Sequence, residues 1–223
     1  MSIIGKPLLL IILLIQFGCS GYRPALRRNP FASLGIHSLS IPQFVNNSIF
    51  PAASGDFTKE IIRLLSEYPE LKITIGEDNS TDAMLIGILD SKQKKRDALT
   101  PEGHKLTSGA LDQSLGERKN LSFPTSSSYG ISLRLILIKA PTSHELALVK
   151  SSLVQYVVTG PKIMFNNIFE LNGRYTHAVN SNNHINDAGI LNFTKTHKNR
   201  ELSMKGLAES MAANFKGVVL NAF

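Results

Sequence analysis

Met84–Leu89 reads MLIGIL, six residues without a charge or a hydrogen-bonding side chain. A strand with one solvent-facing side alternates apolar and polar residues, whereas this stretch is apolar on both sides. It therefore predicts a central strand that is covered on both faces. Two further strands are predicted upstream, at Ile36–Pro42 (IHSLSIP), which the proline ends, and at Leu71–Ile75, where every second residue is apolar.

Two further strands and two amphipathic helices follow from the same periodicities. The strands are Ile131–Ile138 (ISLRLILI) and Ser152–Val158. A helix with Asp56 as its N-cap and Pro69 as its stop is predicted from one apolar stripe, Phe57, Ile61, Leu64, Leu65 and Tyr68. A helix near the end of the chain has a second stripe, Leu207, Ala208, Met211, Ala212, Phe215, Val218 and Val219.

Two segments lack a clear pattern. Residues 91–128 are polar and rich in Ser, Gly and Pro, which predicts a long loop or a protruding hairpin inserted in the domain. Residues 160–198 are the least regular, with a short helix expected around Ile163–Leu171. The elements together predict an α+β fold, a two-layer sandwich with two amphipathic helices on one face of a mixed sheet of about four or five strands.

The N-terminus has the layout of a secretory signal. Lys6 precedes the apolar run Leu8–Ile15, which is too short to span a bilayer, and Gly18 stands before Cys19. A cysteine directly after the cleavage point is what lipidation requires, although Gln16 and Phe17 are atypical there. An ordinary signal peptide with an incidental cysteine is the alternative. Lipidation is favoured because the 223-residue chain has no other cysteine.

These observations divide the chain into a signal peptide (1–18), a lipidated tether (19–35) and an α+β domain (36–223). The formal net charge is +7 and 43% of residues are hydrophobic. A basic lipid-anchored chain is expected to meet phosphate-bearing lipids, and nucleic acid is not expected because aromatic residues are not interleaved with the basic ones.

Three segments in this order resemble the lipopolysaccharide-assembly lipoprotein family LptE. They are Cys19 with the nearby Gly21-Tyr22, the segment 40–46 (SIPQFVN) and the segment 82–87 (DAMLIG). The residues that carry the likeness in the last two segments are Ile41, Pro42, Phe44, Asn46, Asp82, Ala83, Leu85 and Gly87. The segment 40–46 also resembles that of other envelope lipoproteins, including curli-type secretion factors.

The resemblance implies a lipoprotein on the inner leaflet of the outer membrane that plugs an LptD-like β-barrel. Such a protein assists barrel assembly and the transport of lipopolysaccharide to the cell surface. Ser20 after Cys19 is compatible with outer-membrane sorting. The alternative is a structural lipoprotein of another secretion or polysaccharide-export system with the same small domain.

The run Lys92, Lys94, Lys95 and Arg96 follows the predicted central strand and is a candidate contact for lipid A phosphates. A solvated charge run is the alternative for these four residues. The motif residues have fold-specifying roles: Pro42 ends a strand, Asn46 can hold a loop, and Gly87 permits close backbone approach.

The sequence shows no enzyme signature, so we expect no catalytic residue, cofactor or metal. There is no nucleophile elbow, no phosphate-cradling glycine loop and no HExxH motif. His177, His184 and Asp187 are the nearest approach to a metal cluster, but their spacing in an Asn-rich segment does not suit zinc. A periplasmic hydrolase remains the third class of function.

Overall fold

The computed structural model describes residues 28–91, 99–106, 122–151, 160–178 and 192–220. These residues form seven strands and three α-helices. In chain order the elements are β1 (Ser38–Ile41), β2 (Val45–Asn47), α1 (Ala53–Leu65), β3 (Lys72–Ile75), β4 (Ala83–Ser91), β5 (Leu99–Leu106), β6 (Ser122–Lys139), α2 (Ser143–Lys150), β7 (Ile163–Thr176) and α3 (Phe193–Phe215).

The strands build one mixed sheet. Its order is β3-β1-β4-β6-β5, with β2 also paired to β4 and β7 to β6. The pairs of β1 with β3, β1 with β4 and β2 with β4 are parallel, whereas β6 runs antiparallel to β4, β5 and β7. The α+β class with helices packed on a mixed sheet is confirmed, with more strands than the four or five expected.

The central position predicted for Met84–Leu89 is confirmed. Strand β4 lies between β1 and β6, and nearly all of its residues are buried. Leu85 and Leu89 belong to the large core that includes α1 and α3, while Met84, Ile86 and Ile88 belong to a second cluster with Leu146 of α2. Because successive side chains of a strand point to opposite faces, an uninterrupted apolar run is what two covered faces require.

Helix α1 buries the predicted stripe but begins earlier than expected. Asp56 is not the N-cap, because the helix starts at Ala53 and Ala52 occupies that position without a side-chain cap. The chain already turns at Phe50, whose carbonyl accepts a hydrogen bond from the Ala53 amide at 3.2 Å. Pro51 fits this turn because the first turn of a helix leaves its N–H groups unpaired. Asp56 instead lies in the first turn, where its carboxylate interacts favourably with the helix dipole.

Helix α3 extends the predicted terminal helix toward the N-terminus. It starts at Phe193, and the Asn192 side chain caps it by accepting a hydrogen bond from the Lys195 amide at 2.9 Å. Most of the predicted stripe is buried, but Val218 is 58% exposed. The helix widens into a π-helical turn at Lys216–Leu220, which changes the angular step between residues. Val219 of the stripe is buried there, and Leu220 is buried in place of Val218.

The short helix expected around Ile163–Leu171 is wrong, because these residues belong to strand β7. Phe169, Leu171 and Tyr175 are buried while the residues between them are more exposed, which is the two-residue period of a strand. The partner β6 pairs with β7 from Ser126 to Ile138. This long ladder overrides the weak local preference of the sequence.

The inserted segment 91–128 forms a hairpin in its described part, since β5 pairs antiparallel with the first half of β6. The predicted strand Ser152–Val158 lies outside the described residues. Within the described ranges, no helix combines the length and the apolar character needed to cross a membrane.

Candidate functional site

The sequence singled out three groups of residues, and the structure describes one of them. Cys19 and the cluster Lys92, Lys94, Lys95 and Arg96 lie outside the described residues. The eight family-motif residues are all described. They meet where β1, β2 and β4 pair, and this region is called the motif junction below.

Asp82 closes one end of the motif junction by fixing the start of β1. Its Oδ2 accepts hydrogen bonds from the amides of His37 at 2.9 Å and Ser38 at 2.8 Å. The Asp82 amide in turn donates to Ser38 Oγ at 2.9 Å. The bonds from the His37 and Ser38 amides hold the pKa of the Asp82 carboxyl below its usual value of 3.8, because they stabilise the charged form.

Between β1 and β2 the chain contains one extra residue. Ser40 pairs with Met84 and Val45 with Ile88, so a step of five residues on one strand matches a step of four on β4. Such an insertion is a β-bulge, which is rare in parallel pairs. Pro42 lies in this interruption, where the missing N–H costs no ladder hydrogen bond. Its neighbour Ile41 is fully buried.

The bulge places the Phe44 ring directly over Gly87. A Cβ atom built on Gly87 would lie only 2.6 Å from Phe44 Cδ1, and two other ring atoms are at least as close. Phe44 is 3% exposed, and its amide donates to Thr58 Oγ1 of α1 at 3.0 Å. Gly87 is therefore a glycine because the ring of a neighbouring strand occupies the space of its side chain. The buried Ala83 and Leu85 complete this face of β4.

Asn46 holds the loop that follows β2. Its Nδ2 donates to the carbonyl oxygens of Phe50 at 2.8 Å and Pro51 at 3.2 Å, while its Oδ1 accepts from the Ser48 amide at 3.0 Å. These bonds satisfy both ends of the amide and set the approach of the chain to α1. The motif junction is thus a structural unit in which these contacts join β1, β2, α1 and β4.

A second group of residues forms a row that the sequence did not predict, although His177 was considered there as a metal ligand. The rings of Phe50, Tyr129, Tyr175 and His177 form a row with centroid separations of 4.9, 6.2 and 5.3 Å. The Tyr129 hydroxyl is 2.8 Å from Ser203 Oγ of α3, and burial raises the pKa of Tyr129. The only sequence signal for this row was the alternation of β7, which identifies Tyr175 as inward-facing.

At the end of the row, His177 Nε2 lies 2.8 Å from Ser127 Oγ. The distance suits a nucleophile and its base, but Ser127 is only 2% exposed. His177 Nδ1 is buried and has no hydrogen-bond partner in the described part of the chain, so no carboxylate orients the ring. Burial lowers the pKa of His177, which favours the neutral imidazole. Among the described residues, the pair has neither the solvent access nor the third group that a nucleophilic site uses.

No protein-family model and no curated protein sequence matches this chain. Solved structures give distant likenesses. One is a predicted lipoprotein from Caulobacter crescentus, with 7% identity, a TM-score of 0.40, and coverage of 81% of this chain and 89% of that one. Another is a predicted homologue of a neuraminyllactose-binding hemagglutinin from Helicobacter pylori, with 7% identity, a TM-score of 0.43, and coverage of 89% and 90%.

A third similar structure is a minor lipoprotein from Acinetobacter baumannii, with 11% identity, a TM-score of 0.32, and coverage of 82% of this chain and 92% of that one. The solved structures that resemble this chain thus include bacterial lipoproteins. Their TM-scores are all below 0.5, so the likeness stays at the general arrangement of strands and helices and carries no argument about function.

Proposed function

We propose that this chain is a lipid-anchored lipoprotein of the bacterial outer membrane that assists an LptD-type β-barrel. In this role the acylated Cys19 holds the domain at the inner leaflet, and the domain plugs the barrel, promotes its assembly and binds lipopolysaccharide during transport. The role is one of binding and assembly rather than catalysis.

One observation carries the proposal. The residues of the family resemblance come from two separate stretches of sequence, yet they pack into the single motif junction. Asp82 binds the start of β1, and Gly87 accepts the ring of Phe44. Segments that define a domain family are expected to contact one another in this way, whereas chance matches to short motifs are expected to scatter over the fold.

Charge is consistent with the proposed ligand. The net charge of +7 suits the phosphates of lipopolysaccharide, and the run Lys92, Lys94, Lys95 and Arg96 is the proposed contact. In the sequence this run directly follows the buried strand β4.

The anchor is tested first by cell fractionation of the tagged full chain and its Cys19→Ala variant. We expect the wild-type chain in the outer-membrane fraction and the variant in the soluble periplasmic fraction, because the variant cannot be acylated. An unchanged membrane fraction of Cys19→Ala contradicts the lipid anchor.

The partner is tested by pull-down of the tagged chain from detergent-solubilised outer membranes. Recovery of a large LptD-like barrel supports the proposal, and recovery of a ring of its own copies supports the polysaccharide-export alternative.

Reversing the charges at Lys92, Lys94, Lys95 and Arg96 is expected to weaken lipopolysaccharide binding. The matched control reverses four exposed lysines elsewhere, Lys59, Lys72, Lys195 and Lys205. Equal effects of the two sets count against a specific contact.

A further inference from the structure

A cleft of about 320 Å³ lies between the first two turns of α3 and the end of β7. It is called the α3 cleft here, and its volume is at the lower end of the range of small-molecule sites. The lining residues are Tyr175, His177, Phe193, Thr196, His197 and Arg200. None of them carries a carboxylate, and three carry nitrogen groups that can donate hydrogen bonds or hold positive charge.

Arg200 is the main reason to expect a ligand in the α3 cleft. Its side chain is partly buried, and its guanidinium has neither an ion pair nor a hydrogen bond among the residues that the structure describes. The neighbouring Glu201 is used by His197 at 3.4 Å and Lys198 at 3.9 Å instead. Without a partner among the described residues, the guanidinium keeps its donors available, and their planar fork fits an oxyanion.

A second polar group in the wall of the cleft is also unsatisfied. His177 Nδ1 is buried and has no partner in the described part of the chain, while Nε2 is engaged by Ser127. Buried polar atoms are normally paired, so an unpaired one needs an explanation. Thr196 is different, because its Oγ1 already accepts a hydrogen bond from the Ala178 amide at 3.0 Å.

The remaining walls are aromatic. Tyr175 is buried and its ring lies against that of His177 in a tilted arrangement, and Phe193 is 79% exposed at the mouth of the cleft. An exposed phenyl ring beside an unpaired cation suits a ligand that has an apolar body and an anionic end.

A smaller hollow of about 150 Å³ shares His197 and Arg200 with the α3 cleft but has the opposite character. Asp56 and Glu201 line it together with apolar groups of Phe50 and Met204. Two carboxylates repel an anion, so this hollow does not compete for the anionic end of a ligand. The difference between the two hollows directs an anion to the β7 side of Arg200.

We propose that the α3 cleft binds an oxyanion, phosphate or carboxylate, that is attached to a small aromatic or apolar body. Arg200 binds the oxyanion, and Tyr175 and Phe193 pack against the body. The oxyanion comes either from a soluble small molecule or from a lipid headgroup. The residues proposed for this site do not include the basic run at residues 92–96, and the site requires no barrel partner.

The test uses the full chain in neutral detergent micelles and titration calorimetry with phenyl phosphate. We expect saturable binding that Arg200→Gln weakens at least about tenfold, because a charge-assisted bond is lost. Lys205→Gln is the matched control, since it removes one positive charge from an exposed position of the same helix outside the cleft. Inorganic phosphate, which lacks the apolar body, is expected to bind more weakly than phenyl phosphate.

Repeating the titration in micelles doped with phosphatidic acid distinguishes the two sources. If phosphatidic acid competes with phenyl phosphate in the wild type but not in Arg200→Gln, the site is assigned to a lipid headgroup. If phenyl phosphate binds and phosphatidic acid does not compete with it, the site is assigned to a soluble anion. The proposal is overturned if phenyl phosphate shows no saturable binding, or if Arg200→Gln binds it as well as the wild type does. It is also overturned if Lys205→Gln weakens binding as much as Arg200→Gln, or if inorganic phosphate binds as tightly as phenyl phosphate. Circular dichroism of each variant establishes that it is folded.

Discussion

The contact between Phe44 and Gly87 gives the sharpest test of the motif junction, through the substitution Gly87→Ala. The added methyl group would overlap the Phe44 ring, since its distance to Cδ1 is 2.6 Å and other ring atoms are at least as near. Ordinary carbon contacts need roughly 3.5–4.0 Å. The ring cannot move away freely, because Phe44 is 3% exposed and its amide is bound to Thr58 of α1.

The size of the effect follows from the cost of overpacking. Inserting a methyl group into a filled core costs about 1–3 kcal/mol in free energy of unfolding. For a chain of this size each kcal/mol corresponds to about 2–4 °C in melting temperature. We therefore expect Gly87→Ala to lower the melting temperature by about 2–12 °C.

Thermal and urea unfolding, followed by circular dichroism, measure the change. Gly206→Ala is the control, because Gly206 lies inside α3 with no atom within 4 Å of its added Cβ. Alanine is the better helix former, so this variant is expected to gain about 0.5–1 kcal/mol. Phe44→Leu should relieve the clash, so the double variant Phe44→Leu/Gly87→Ala is expected to be more stable than the sum of the single effects predicts. Additive effects, or a Gly87→Ala variant as stable as the wild type, refute the packing argument.

Two further predictions concern acid stability and the face of α3. The pKa of the Asp82 carboxyl is lower in the folded chain than its usual value of 3.8. Its charged form therefore stabilises the fold fully above pH 3.8, and this contribution is lost as pH falls through the folded-state pKa. Asp82→Asn lacks this contribution, so it should lose less stability than the wild type in melts below about pH 4. Asp56, whose pKa is raised mainly by burial, gives the opposite sign, and Asp56→Asn should lose more than the wild type on the same acidification. Phe215→Ala should cost about 3–5 kcal/mol in urea unfolding because the ring is fully buried, whereas Val218→Ala, at a 58% exposed position, should stay within about 0.5 kcal/mol. If Phe215→Ala and Val218→Ala lost similar amounts of stability, the burial of Phe215 and the exposure of Val218 would be contradicted.

The sequence predicted the elements whose patterns agree with their final burial. Met84–Leu89 has no polar residue to mark an exposed side, and β4 is buried on both faces. The stripe of α1 shows the 3.6-residue period because only one side of that helix meets the sheet. In both cases the local pattern of apolar residues matches the faces that are buried in the fold, so this pattern alone predicted the element.

Strand β7 shows where that agreement ends. Its first half reads IMFNNI, which has neither a clean alternation nor β-branched residues at most positions. Its conformation is set by pairing with β6 along nearly its whole length, including an irregularity between Leu137 and Ile138. The partner strand is distant in sequence, so a local window has no access to this information. The same holds for Arg200: its lack of an ion pair or hydrogen bond within the described ranges depends on where Glu201 and the end of β7 lie.

The motif junction and the α3 cleft are connected by contacts that neither motif nor helix pattern indicates. Asn46 binds the carbonyl oxygen of Phe50, and the Phe50 ring packs against Tyr129 at 4.9 Å. Tyr129 contacts Tyr175, which in turn makes a tilted ring contact with His177 in the wall of the cleft. Phe50, Tyr129 and Tyr175 are all buried, and rings packed in this way have few alternative rotamers, so any effect of Asn46 on the cleft is expected to act through steric contact along this row.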